Sequence, residues 1–74
     1  MDKVLDLHGL KHEQVPRIVD KFIGDHIQLG TTSISIITGH SLRMKEIVAH
    51  ICKDYDIKFT EEWGNAGKMV LDLR

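Results

Sequence analysis

Apolar and polar residues recur along this chain with two periods. In "VLDLH" (4–8) the period is two, the mark of a half-buried strand, with Leu5 and Leu7 on one face and Val4, Asp6 and His8 on the other. From about His12 to Leu29 the spacing becomes helical. Val15, Ile18, Val19, Phe22, Ile23 and Ile27 share a stripe, while Arg17, Asp20, Lys21, Asp25 and Gln28 lie outside it. Pro16 then belongs in or near the first turn, where its missing N–H breaks no hydrogen bond. Gly30 supplies the left-handed residue that ends the helix.

"SISIIT" (33–38) returns to period two, with Ile34 and Ile36 opposed to Ser33, Ser35 and Ile37. Ser41 is suited to cap a second helix running to about Asp54, whose buried stripe would be Met44, Ile47, Val48, Ile51 and Tyr55. "DIKFTEE" (56–62) reads as a third strand with Ile57 and Phe59 inward, and "WGNAG" (63–67) as a turn. "KMVLDLR" (68–74) alternates again, Met69, Leu71 and Leu73 against Val70 and Asp72. The order is β-α-β-α-β-β. Each helix bridges successive strands, and right-handed crossovers put both on one side of the sheet. Two layers follow, with the second sheet face partly open.

Seventy-four residues make one domain, 1–74, with a modest core and a thin stability margin. A net charge of −1 argues against a binder that relies on overall basic excess, so a nucleic-acid partner would need a local patch. No apolar run approaches the roughly 20 residues that span a bilayer, and the start lacks a signal-peptide core. The single cysteine, Cys52, has no internal disulfide partner and reads as a small buried side chain. These features lead us to expect a cytoplasmic address and no membrane partner.

Chemistry is expected where strands lead into helices. In crossover sheets, ligands sit beyond the carboxyl ends of parallel strands. "HGLKH" (8–12) and "TGHS" (38–41) both hold that position, both contain a glycine, and both feed a helix start, whose unpaired N–H groups suit phosphate. If the first two strands are neighbours, His8, His12, Gly39, His40 and Ser41 meet at one corner. There His8 can move a proton to or from a reacting oxygen, and Asp6, on the same face, can orient its imidazole.

Plainer roles compete. Asp6 and His8 can be a solvated pair or a local hydrogen-bond holder. The histidines at 8 and 12 have i,i+4 spacing, but the first lies on a strand, so helical metal-ligand geometry does not apply. His26 reads as packing and His50 as solvated. Lys11, Arg17, Arg43 and Lys45 either ring the corner with positive charge or solvate the helix starts. Trp63 either stacks a base or covers the core edge.

"LDLHGL" (5–10), "ISIITG" (34–39) and "NAGKMVLDL" (65–73) together resemble the Smr, or small MutS-related, domain over essentially the whole chain. The resemblance implies an α/β (α+β) two-layer fold similar to the C-terminal domain of translation initiation factor three, with a four-stranded mixed sheet in the order 1-2-4-3. It also implies nucleic-acid binding and, in several members, endonuclease action on DNA or RNA. The family's Asp and His fall on Asp6 and His8, followed by Gly9; its Thr-Gly-x-Gly loop falls on Thr38, Gly39 and His40, with Ser41 in place of the second glycine.

The expectation is therefore a nucleic-acid-binding domain cleaving or nicking phosphodiester bonds. Asp6 and His8 would be catalytic, and Gly9, Lys11, His12, Thr38, Gly39, His40, Ser41, Arg43 and Lys45 would contact phosphate. On RNA the ribose 2′-OH can serve as nucleophile; on DNA a water must attack, which invites a divalent metal. The converging carboxylates are too few to predict a metal site, and no cofactor is expected. Ser41 and the small size favour the alternative of binding without catalysis. A third reading is a homodimer formed through the open face at Val4, Ile37 and Val70.

Overall fold

The computed structural model describes residues 2–61 and 67–74. The strands are β1 (Val4–Asp6), β2 (Ser33–Ile37), β3 (Lys58–Glu61) and β4 (Lys68–Asp72), and the helices are α1 (Val15–Leu29) and α2 (Leu42–Asp54). A short 3-10 turn, His12–Gln14, leads into α1. The sheet order is β1-β2-β4-β3. β1 and β2 are parallel, and β4 runs antiparallel to both β2 and β3. The expected topology is the observed one.

The register explains the two faces. Leu5, Ile36 and Met69 align across three strands, as do Ile34, Leu71 and Phe59. With Leu7, and apart from Phe59 at the sheet edge, these rows meet Val15, Val19 and Ile23 of α1 and Met44, Val48, Ile51 and Cys52 of α2 in one core. Each such side chain removed from water contributes about 1.5–3 kcal/mol before the entropy of ordering it is counted. The opposite face carries Val4, Ser35, Val70 and Thr60 in one row and Asp6, Ile37 and Lys68 in the next.

Local signals act as expected at the helix ends. Pro16 lies in the first turn of α1, and Ser41 caps α2, its Oγ accepting from the Met44 N–H at 3.1 Å. Gly30, at φ +75°, ends α1. Asp56, at φ +57°, gives α2 the same kind of end: its N–H reaches the Lys53 carbonyl and the Ile57 N–H the Cys52 carbonyl. That motif takes Asp56 out of the third strand, which begins at Lys58 instead. Aspartate tolerates the left-handed region better than most side chains, so the stop carries no glycine signal.

Three core assignments shift outward. Ile27, in the last turn of α1, lies beyond the reach of the sheet and is 48% exposed. Phe59 faces the helix layer but sits on an edge strand with a neighbour on one side only, and is 37% exposed. Tyr55 lies past the last turn of α2, 39% exposed, where its hydroxyl donates to the Asp20 carboxylate on α1. His26 is packed, as expected, at 1% exposure. Trp63 and the rest of the turn expected at 63–67, up to residue 66, lie outside the described residues. Among the described residues no helix is long and apolar enough to cross a membrane.

Candidate functional site

Parallel pairing of β1 with β2 aligns Asp6 with Ile37, and the Leu7 N–H extends the ladder to the Ile37 carbonyl at 2.9 Å. Both strands therefore finish at the same level. The segments that follow, residues 8–12 and 38–41, leave side by side from one end of the sheet toward the starts of α1 and α2. The two glycine-bearing loops share a rim.

The first loop is a tight turn. The Leu10 N–H donates to the Leu7 carbonyl at 3.1 Å, and Gly9, third in the turn, takes φ +80°, as a type II turn requires. His8 occupies the exposed second position. The Asp6 Oδ1 accepts the backbone N–H of His8 at 2.8 Å. The recorded contact of this carboxylate is thus with the main chain of His8 and not with its ring: Asp6 shapes the turn that presents the imidazole. Beyond it, Lys11 and Gln14 exchange bonds, the Lys11 N–H to the Gln14 Oε1 at 3.2 Å and the Gln14 N–H to the Lys11 carbonyl at 2.9 Å. Lys11 and His12 are exposed at the entrance to α1.

The second loop is held from below. Gly67, just before β4, turns its carbonyl toward the loop and receives three donors: the Thr38 N–H, the Gly39 N–H at 3.2 Å and the Thr38 hydroxyl at 2.9 Å. A side chain at Gly67 would overlap the backbone of Gly39, and both glycines have positive φ, +76° and +68°. Thr38 is 5% exposed. Although expected to contact phosphate, it points its donors inward and anchors the loop instead. His40 is exposed and Ser41 half-buried, its oxygen engaged as the α2 cap. Arg43 pairs loosely with Glu46 at 3.8 Å, both exposed, while Lys45, between them in the chain, is half-buried.

The rings of His8, His12 and His40 make no hydrogen bond or ion pair with any described residue. The rim thus combines exposed imidazoles, the first turn of α2 with its unpaired N–H groups, and the cations of Lys11, Arg43 and Lys45. Lys68 joins them on the open face, aligned with Ile37 and, beyond it, Asp6. Among the described residues no three His, Cys, Asp or Glu side chains group as metal ligands would. Sequence reasoning overlooked Gly67 as part of this construction. Its signal was the glycine at the end of "WGNAG", which had been assigned only to turn geometry.

Comparison with known proteins places the fold and the family. No curated protein matches the chain. A crystal structure of the human small-MutS related domain superposes with a TM-score of 0.74 at 22% identity, covering 95% of this chain and 99% of that one. That likeness concerns the fold. The Smr domain model matches residues 5–74, from the strand bearing Asp6 to the last residue. The chain belongs to the Smr domain family.

Proposed function

We propose that the rim binds a nucleic-acid backbone and cleaves a phosphodiester bond, with His8 transferring a proton in the reaction. The observation that carries this reading is the aligned ending of β1 and β2, which sets an unpartnered imidazole beside a capped helix start and a group of cations. Association with nucleic acid, and nuclease action in several members, is also what the Smr family suggests. A phosphate at the α2 start would meet backbone N–H groups and the cations of Arg43 and Lys45, with Lys11 approaching from the neighbouring loop. Asp6 and Gly9 then act by fixing the turn that carries His8, and Thr38 and Gly39 by fixing the loop opposite.

The test is a cleavage assay on single-stranded RNA, duplex DNA and branched DNA with wild type and His8→Ala. His8 is exposed and its ring is unpaired, so the variant should fold normally and lose about 10²–10⁴ in rate. A variant that cuts as fast as wild type rejects the catalytic reading. Binding without cleavage is favoured by one observation: the Asp6 carboxylate contacts the main chain of His8, not its imidazole. Salt-sensitive association with no product after prolonged incubation would establish that form of the function.

A further inference from the structure

We propose that the outer face of α2 is a self-association surface, and that its partner is the same face of a second copy lying antiparallel to it. The proposal goes beyond the nuclease reading and does not depend on it. Arg43, Ile47, His50 and Asp54 follow one another at intervals of three or four residues, so they form one stripe, roughly 16 Å long, on the helix. Ile47 is half-buried and the other three are exposed. The stripe borders a groove between the two helices, whose α1 wall carries Pro16, Arg17 and Asp20.

The two charges of the stripe oppose their own helix. A helix start is partly positive and favours anions, while a helix end favours cations. α2 has Arg43 in a first turn that holds no acidic residue, and Asp54 is its last residue. Arg43 has a place among the proposed phosphate contacts; Asp54 has none. Neighbours on the helix offer each little compensation. Glu46 lies 3.8 Å from Arg43 and His50 lies 3.7 Å from Asp54, in exposed pairs, the second an ion pair only when the ring is protonated.

A second copy satisfies both ends at once. Two α2 helices set antiparallel about a twofold axis between Val48 and Ala49 place Arg43 opposite Asp54 of the partner subunit. The same register places Ile47 opposite His50 of the partner subunit. Each pairing occurs twice, as a closed twofold interface requires. The positive start of one helix then lies beside the negative end of the other, so the dipoles are also complementary. Each α2 ridge would rest in the other molecule's groove, as helices do in a four-helix bundle. This self-complementarity under a twofold distinguishes a second copy from any other helical partner.

The experiment measures mass against concentration, by sedimentation equilibrium, for wild type, Arg43→Asp, Asp54→Arg, the double exchange and Lys3→Asp. Wild type should pass from monomer toward dimer as its concentration approaches about 1 mM. Each single variant of the stripe turns both attractions into repulsions and should weaken self-association about tenfold or more. Both substitutions suit the helix dipole better than the native residues do, so α2 should remain folded, which circular dichroism checks. An equimolar mixture of the two sets an acidic stripe against a basic one. It should restore a dimer holding one of each, identified by native mass spectrometry. The double exchange keeps the net charge of wild type and should associate as wild type does. Lys3→Asp changes charge just before β1, away from α2, and should also leave association unchanged.

The surface is refuted by a wild type that stays monomeric at about 1 mM, which would leave the stripe to a different partner or to solvent. A dimer that both stripe variants leave intact refutes it too, and would point to the open sheet face. So would equal weakening in Lys3→Asp, or failure of either the mixture or the double exchange to restore association, overturn it.

Discussion

The two ends of the parallel strands use the same side chain in opposite ways. At the end where β1 and β2 begin, His26 is sealed: Nδ1 lies 2.8 Å from the Thr31 hydroxyl, Nε2 lies 2.8 Å from the Asp2 carbonyl, and the ring packs edge-on against Phe22. A carbonyl can only accept, so Nε2 carries a proton and donates to Asp2, while Nδ1 is held by the Thr31 hydroxyl. At the other end His8, His12 and His40 are exposed, with no such partners among the described residues. A histidine with both nitrogens engaged holds two segments together; one with both free can exchange protons with whatever arrives. The contrast gives one end a structural role and leaves the other open for the proposed chemistry.

The most severe challenge to that division is Gly67→Ala. The new methyl would strike Gly39 while also forcing alanine into left-handed backbone, so we expect a loss of about 3 kcal/mol in urea unfolding. Because the Gly67 carbonyl also anchors Thr38 and Gly39, nucleic-acid binding should weaken even in the fraction that stays folded. Normal stability together with normal binding would show that the anchor is dispensable.

His26→Leu probes the sealed end alone. It strands the Asp2 carbonyl and the Thr31 hydroxyl, a cost of about 2 kcal/mol, while leaving cleavage per folded molecule unchanged. A loss of activity beyond the loss of folded protein would couple the two ends and break the comparison.

The smallest effect is expected at high pH and belongs to the core between the ends. Burial raises the Cys52 thiol from 9.0 to about 11. The unfolded chain therefore releases this proton first. The thiol's contribution to stability is complete below about pH 9 and is lost as the pH rises to about 11. Tyr55 is raised as well, by its hydrogen bond to Asp20, so the comparison must be with Cys52→Ala, whose alkaline loss should be shallower. Identical curves for the two proteins would remove the thiol from the account.

Much of this was legible in the chain itself. Period-two runs at Leu5, Ile34, Met69 and their neighbours marked the inner face, and Pro16, Gly30 and Ser41 marked three helix ends, because each signal depends on residues close in sequence. The order of the strands needed the family likeness, since alternation does not say which strand lies beside which. Asp56 escaped because its left-handed backbone is exceptional for its residue type. Thr38 escaped for another reason: its hydroxyl is bonded to a carbonyl 29 positions away, and no local pattern records such a partner. Asp6 lay in between, correctly placed on its face, with its bond to the His8 amide visible only in three dimensions.

The last strand in the chain is an interior strand of the sheet. During synthesis, everything that precedes residue 67 can leave the ribosome while the perch beneath Gly39 is still missing. The 38–41 loop can then take up its final shape only after β4 has threaded between β2 and β3. The edge that bears the two glycine loops thus stays unfinished until the closing segment locks home.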